Sequence, residues 1–114
     1  MAKRKNNIYH FKILGADWTA RCHAAKTFKL KYGNCGGITI PAYKEIHFRA
    51  DEILLDTALH ELWHGFLAQC NIDSANITAE QLEEITATLF SREWHSIIKC
   101  AIDMQTFFLL KEHE

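Results

Sequence analysis

This sequence has few residues of the kinds that cross-link a chain or interrupt its helices and strands. It contains one proline, Pro41, and four cysteines among 114 residues. Those cysteines, Cys22, Cys35, Cys70 and Cys100, are widely spaced, and no Cys-x-x-Cys pair is present to predict a thiolate zinc site. We therefore expect the cysteines to be reduced and mostly structural.

Long apolar runs are absent as well. No stretch of eighteen or more apolar residues is present to cross a membrane, and the basic residues 1–7 precede no apolar stretch long enough for a signal peptide. These absences predict a soluble, cytoplasmic protein. Because 48% of the 114 residues are hydrophobic, the chain can build one core. We expect a single domain over residues 1–114, with a flexible tail at residues 1–7.

Acidic residues are scarce in the first half of the chain. Residues 1–50 carry ten Lys or Arg against two Asp or Glu, a net charge of +8, and residues 51–114 carry three against twelve, a net charge of -9. A basic half could attract nucleic acid or an acidic protein. The basic residues are scattered along the sequence, so we favour two surfaces of opposite sign on one domain over a nucleic-acid partner.

The first half predicts strands. Residues 8–14, 28–32 and 45–49 alternate apolar with polar positions, and the first two runs end at a glycine. Residues 17–21 fit either a short helix or a loop, and Pro41 ends the short apolar run before it. We expect a small antiparallel sheet of three or so strands.

The second half predicts helices, which makes the fold class α+β. Asp51 begins a largely buried helix that reaches about residue 70. Thr78 and Gln81 form a capping-box pattern for a second helix. Although no Gly or Pro follows Thr78, one rod would overhang so small a domain. We therefore expect a break around residues 91–96 and a separate C-terminal helix.

The stretch with the clearest chemistry is His60-Glu61-Leu62-Trp63-His64. Two histidines four residues apart fall on one face of a helix, where both can bind one zinc ion. The glutamate beside the first histidine can act as a general base on metal-activated water. Because hydrolytic zinc sites use three protein ligands and keep a fourth position open, one further ligand is required.

The second helix offers Glu80, Glu83 and Glu84 for that third position. At about 100° per residue, Glu83 falls within the apolar arc of the helix, near its edge. A carboxylate on the packed side is costly unless something neutralises it, and zinc would do so. We predict Glu83 as the third ligand and keep Glu80 and Glu84 as alternatives.

Residues 57–64 and 78–89 resemble the small ImmA/IrrE-type and minimal gluzincin metallopeptidases common in bacteriophages and prophages. Members of that group pair a His-Glu-x-x-His helix with a downstream Glu-x-x-Ala-like helix. The likeness extends to residues 37–39 and 44–48, and so covers about residues 28–90. It implies a minimal zincin-like domain, in which a small sheet packs against an active-site helix and a second helix supplies a ligand.

The resemblance further implies that His60, His64 and Glu83 bind zinc and that Glu61 is the general base of a peptide hydrolase. Its substrate would be a protein or peptide, and a regulatory protein partner could control its activity. Two residues depart from the usual pattern, Thr86 and Trp63, and neither removes a ligand.

Two questions stay open at this point. Four residues from the first half of the chain could stabilise the oxyanion of a peptidase reaction: Tyr32, Tyr43, Lys44 and His47. The residues 45–49 could also present a strand edge to an extended peptide. The alternative to an enzyme is a regulatory module that contains non-catalytic zinc and binds protein or nucleic acid.

Overall fold

The computed structural model describes residues 8–53, 55–72 and 76–112, so the predicted tail at residues 1–7 lies outside it. The described chain is α+β, as predicted. Its strands and helices follow in the order β1 (Ile8–Ile13), β2 (Ala16–His23), α1 (Ala25–Tyr32), β3 (Gly37–Ile40), β4 (Glu45–Arg49), α2 (Leu55–Gln69) and α3 (Ala79–Glu112). Short 3-10 turns occupy Pro41–Tyr43 and Ala50–Glu52.

The four strands form a mixed sheet in the order β1-β2-β4-β3. β1 and β2 are an antiparallel hairpin, and β3 pairs antiparallel with β4, but β2 and β4 are parallel. The prediction of an antiparallel sheet was therefore wrong. The parallel pairing arises because α1 and β3 come between β2 and β4 in the chain. The chain therefore reverses direction before β4, and β4 lies parallel to β2.

α1 occupies residues that alternate like a strand. Phe28 and Tyr32 lie one helical turn apart with ring centroids at 5.0 Å, whereas Leu30 between them is 84% exposed. Positions 28, 30 and 32 fit a strand, but positions 28 and 32 fit one face of a helix equally well. Residues 17–21, which the sequence left undecided, belong to β2, where Trp18 and Ala20 are buried.

The core lies between one face of the sheet and the two long helices. α2 contributes Ala58, Leu62 and Phe66, and the second half of α3 contributes Ile97, Ala101, Met104 and Phe108. The facing sheet residues are Ile13, Trp18, Ala20, Ile46 and Phe48. The opposite face of the sheet contacts α1 at β4.

α3 begins at the predicted capping box. The Thr78 amide donates to Gln81 Oε1 at 2.9 Å, and the Gln81 amide donates to Thr78 Oγ1 at 3.0 Å. The helix then runs through all 34 of its residues, so the predicted break at residues 91–96 and the separate C-terminal helix were wrong. No Gly or Pro interrupts it, and its first part extends past the core, with no residue of 79–96 buried.

No disulfide bond joins any two of the four cysteines, all of which lie in the described part of the chain. Burial raises the pKa of the Cys100 thiol to about 11, so this side chain stays a thiol at neutral pH. Among the described residues, no helix is both long enough and apolar enough to cross a membrane.

Candidate metal centre

The two histidines of the motif are brought together on the outer face of α2. His60 and His64 are both exposed, and their Nε2 atoms lie 3.1 Å apart. Two nitrogen ligands of a tetrahedral zinc ion, each at about 2.0–2.1 Å from the metal, are about 3.3 Å apart. The pair therefore fits two adjacent positions of one zinc ion.

The packing of α2 explains why these side chains are available. Ala58, Leu62 and Phe66 hold one side of the helix against the sheet. His60 and His64 consequently lie toward solvent, beside a hollow of about 450 Å³. The hollow runs between α2 and the edge strand β3, and it is lined by Gly37, Ile38, Thr39, Pro41, His60, Glu61, His64, Leu67, Ala68 and Ile72.

Glu61 lies in the same hollow but is only 7% exposed. The hydroxyl of Thr39 donates to its carboxylate at Oε1, at a distance of 2.6 Å, and Thr39 Oγ1 is also 3.0 Å from the Glu61 carbonyl oxygen. Gly37, two residues earlier on β3, allows this close packing, since a Cβ there would lie 3.1 Å from Glu61 Cγ. The edge strand therefore supports the predicted base.

The predicted third ligand lies elsewhere. Glu83 is exposed and lines a separate hollow on α3 together with the two alternatives, Glu80 and Glu84. Across the described ranges, no three His, Cys, Asp or Glu side chains are grouped so that they could hold a metal ion. The argument for Glu83 assumed a carboxylate on the packed side of the helix, and its exposure removes that premise. Glu83 as a ligand stays a prediction.

The four oxyanion candidates do not line the hollow beside His60 and His64. His47 is 4% exposed and lies on the other face of the sheet, where Tyr32 packs against it at 5.1 Å between ring centroids. Tyr43 and Lys44 line a different hollow. The suggestion that residues 45–49 offer a strand edge was also wrong, because β4 lies between β2 and β3.

His47 belongs to a second histidine arrangement. Its Nε2 lies 2.9 Å from Glu45 Oε1, and its Nδ1 lies 2.8 Å from His23 Nε2. With Glu45 ionised, His47 donates to the carboxylate through Nε2 and accepts from His23 through Nδ1. Burial lowers the pKa of His23, and the nearby His47, Lys31 and Arg21 lower it further.

No pattern in the sequence marks Thr39 as a partner of Glu61. Residues 37 and 39 share one face of a strand, so Gly37 and Thr39 were predictable as neighbours of each other. Only the packing of β3 against α2 shows that this face meets Glu61.

Comparison of the chain with family models, curated proteins and solved structures finds no match.

Proposed function

We propose that this chain is a zinc-dependent metallopeptidase of minimal zincin architecture, of the kind found in phages and prophages. The observation that carries the proposal is the Nε2–Nε2 distance of 3.1 Å between His60 and His64, next to the carboxylate of Glu61. A purely structural zinc site has no use for such a carboxylate, whereas a hydrolytic site does.

The chain's own part in the reaction is proton transfer by Glu61. Zinc bound at His60 and His64 would supply Lewis-acid activation of water and of the scissile carbonyl. Glu61 Oε1 accepts a hydrogen bond from Thr39, while Oε2 accepts none from the residues that the structure describes. Oε2 is thus the atom that takes a proton from the attacking water and later passes it to the leaving amine.

The hollow supports an extended peptide as substrate. β3 pairs on one side only, with β4, so its other edge can form main-chain hydrogen bonds with an added strand. Apolar side chains line the hollow beside His64, namely those of Ile38, Pro41, Leu67, Ala68 and Ile72. These features favour a peptide with an apolar side chain next to the cleaved bond.

The third ligand requires a rearrangement of α3 if it is Glu83. The first part of this helix, residues 79–96, includes no buried residue, so its displacement disturbs little of the core. We propose that zinc binding draws this part of α3 toward His60 and His64.

The test compares zinc-loaded wild type with Glu61→Gln on casein and on a mixed peptide library, with products identified by mass spectrometry. We expect wild type to cleave and the variant to be at least about 100-fold slower, because loss of a general base costs about 10²- to 10⁴-fold in rate. Both proteins should bind equal zinc. Equal cleavage by the two proteins, or no cleavage by wild type, would contradict the proposal.

A further inference from the structure

The contact between Thr39 and Glu61 joins two elements across the candidate site. Thr39 belongs to β3, and Glu61 belongs to α2, and the Oγ1–Oε1 distance of 2.6 Å lies within the range of about 2.5–2.7 Å that is usual when a hydroxyl donates to a carboxylate. A hydroxyl that donates to a carboxylate forms one of the stronger kinds of hydrogen bond.

Packing holds the aliphatic part of Glu61 against β3, whereas a hydrogen bond holds its carboxylate. Glu61 is 7% exposed, and a Cβ at Gly37 would be 3.1 Å from its Cγ, so the strand backbone contacts the side chain closely. Within the described residues, Thr39 is the side chain that donates a hydrogen bond to the Glu61 carboxylate. Without this hydroxyl, the carboxylate could rotate about its terminal bond with little penalty.

From this geometry we infer that Thr39 is a positioning residue for the base. Its hydroxyl occupies Oε1 and so fixes the carboxylate, which leaves Oε2 as the oxygen available to the attacking water. The inference rests on the proposed peptidase function and adds to it a role for the edge strand. The strand that would receive the substrate also holds the base, so a peptide bound along β3 meets a carboxylate that is already oriented.

The test compares Thr39→Val, which keeps the shape of the side chain but loses the donor, with Thr39→Ser, which keeps the donor. We expect kcat of Thr39→Val to fall about 10- to 100-fold, the equivalent of one hydrogen bond to a charged group. KM should change by less than about twofold, since the substrate contacts remain. Thr39→Ser should recover most of kcat, and all variants should bind wild-type amounts of zinc.

Thr19→Val is the matched control, because Thr19 is also a strand threonine but lies in β2. It should leave kcat unchanged. The inference is overturned if Thr39→Val retains the wild-type kcat, or if Thr39→Ser is as slow as Thr39→Val. If wild type cleaves no faster than Glu61→Gln, the proposed function fails, and the catalytic role of Thr39 fails with it.

A second measurement detects the contact without any substrate. Urea unfolding of metal-free protein can be measured for Thr39→Val, Glu61→Leu and the double variant. We expect the two changes to be coupled by about tenfold or more in the unfolding equilibrium constant, because each removes the hydrogen bond between the hydroxyl and the carboxylate, while Glu61→Leu leaves the hydroxyl only the longer contact with the carbonyl oxygen of residue 61. Coupling below about twofold would show that the hydroxyl does not hold the carboxylate.

Discussion

The two histidine pairs of this protein differ at the level of single atoms. His60 and His64 are exposed, and their Nε2 atoms lie 3.1 Å apart, with no carboxylate of the described residues hydrogen-bonded to either ring. His47 is buried, and its two ring nitrogens contact Glu45 and His23. The first pair has the geometry of metal ligands, whereas the second is an internal hydrogen-bonded chain that stabilises the opposite face of the sheet.

Through His23, we expect the stability of the fold to depend on pH. The pKa of His23 is lower in the folded protein than its ordinary value of 6.5, because burial and the neighbouring positive charges disfavour its protonated form. Below about pH 6.5 the unfolded chain therefore binds more protons at this site than the folded chain does. The stabilisation is present above pH 6.5 and is lost as the pH falls from there toward the lower, folded pKa.

We accordingly expect the free energy of unfolding to fall more steeply between pH 7 and pH 5 in wild type than in His23→Gln. The measurement is urea unfolding at a series of pH values. His10→Gln, at an exposed histidine of β1, is the matched control for loss of a histidine. Parallel pH dependence in wild type and His23→Gln would contradict this account of His23.

Among the elements, α2 depends on one close approach to the sheet. A Cβ at Gly65 would lie 2.8 Å from Ile13 Cδ1 and 3.5 Å from the Trp18 ring. We expect Gly65→Ala to lower the free energy of unfolding by up to about 2 kcal/mol, because overpacking against the buried Ile13 costs about 1–3 kcal/mol and the preference of helices for Ala over Gly offsets about 1 kcal/mol of that cost.

Ile13→Val provides the control for this prediction, since it removes the Cδ1 atom in the way. Gly65→Ala should cost less in the Ile13→Val background than in wild type, measured by urea unfolding. Additive effects of the two changes would show that the glycine is needed for another reason.

The helices also show how far sequence reasoning reaches. Most of α2 and the cap of α3 were predictable because their signals are local, as with Thr78 and Gln81. The predicted start of α2 at Asp51 was wrong, because Asp51 lies in a 3-10 turn and the helix begins at Leu55. α1 was missed because apolar residues at positions 28, 30 and 32 fit a strand, while positions 28 and 32 also fit one face of a helix. A run of five residues is too short to distinguish these two patterns. The break in α3 was inferred from the size of the domain, but nothing in the chain between residues 79 and 112 terminates a helix.

At the candidate site, too, features with a local sequence signal were predictable and features without one were not. His60, Glu61 and His64 lie within one turn or so of α2, so helical periodicity alone places them together. Thr39 comes from a strand 22 residues earlier, and no local pattern reveals it. The prediction of Glu83 rests on its angular position around the helix. That position shows which residues share a face, but not which other elements the face contacts.

On the scale of the whole molecule, the two halves of α3 differ in how far they are buried. Its second half packs into the core through Ile97, Ala101, Met104 and Phe108, while residues 79–96 include no buried residue. The longest dimension of the molecule is 51 Å, about the length expected for a helix of 34 residues. The half of α3 that carries Glu83 is therefore the half whose movement would expose less buried surface.

That asymmetry leads to a prediction about the third ligand. If zinc draws this half of α3 to the histidine pair, Glu83→Gln should weaken zinc binding by about tenfold or more. Glu80→Gln and Glu84→Gln make the same chemical change at neighbouring acidic residues that line the same hollow. These two substitutions should leave the zinc affinity within about twofold of wild type. Equal effects of the three substitutions would exclude Glu83 as the particular ligand.

The most direct measurement is a calorimetric zinc titration of metal-free wild type, His60→Ala and His64→Ala, with His10→Ala as the control. We predict one zinc ion per wild-type chain and the same for His10→Ala. Each of the other two variants should lose more than the roughly 10- to 100-fold in affinity that removal of a mere supporting residue costs. A wild type that binds no zinc, or whose affinity survives His60→Ala, would contradict the assignment of this histidine pair as the metal centre.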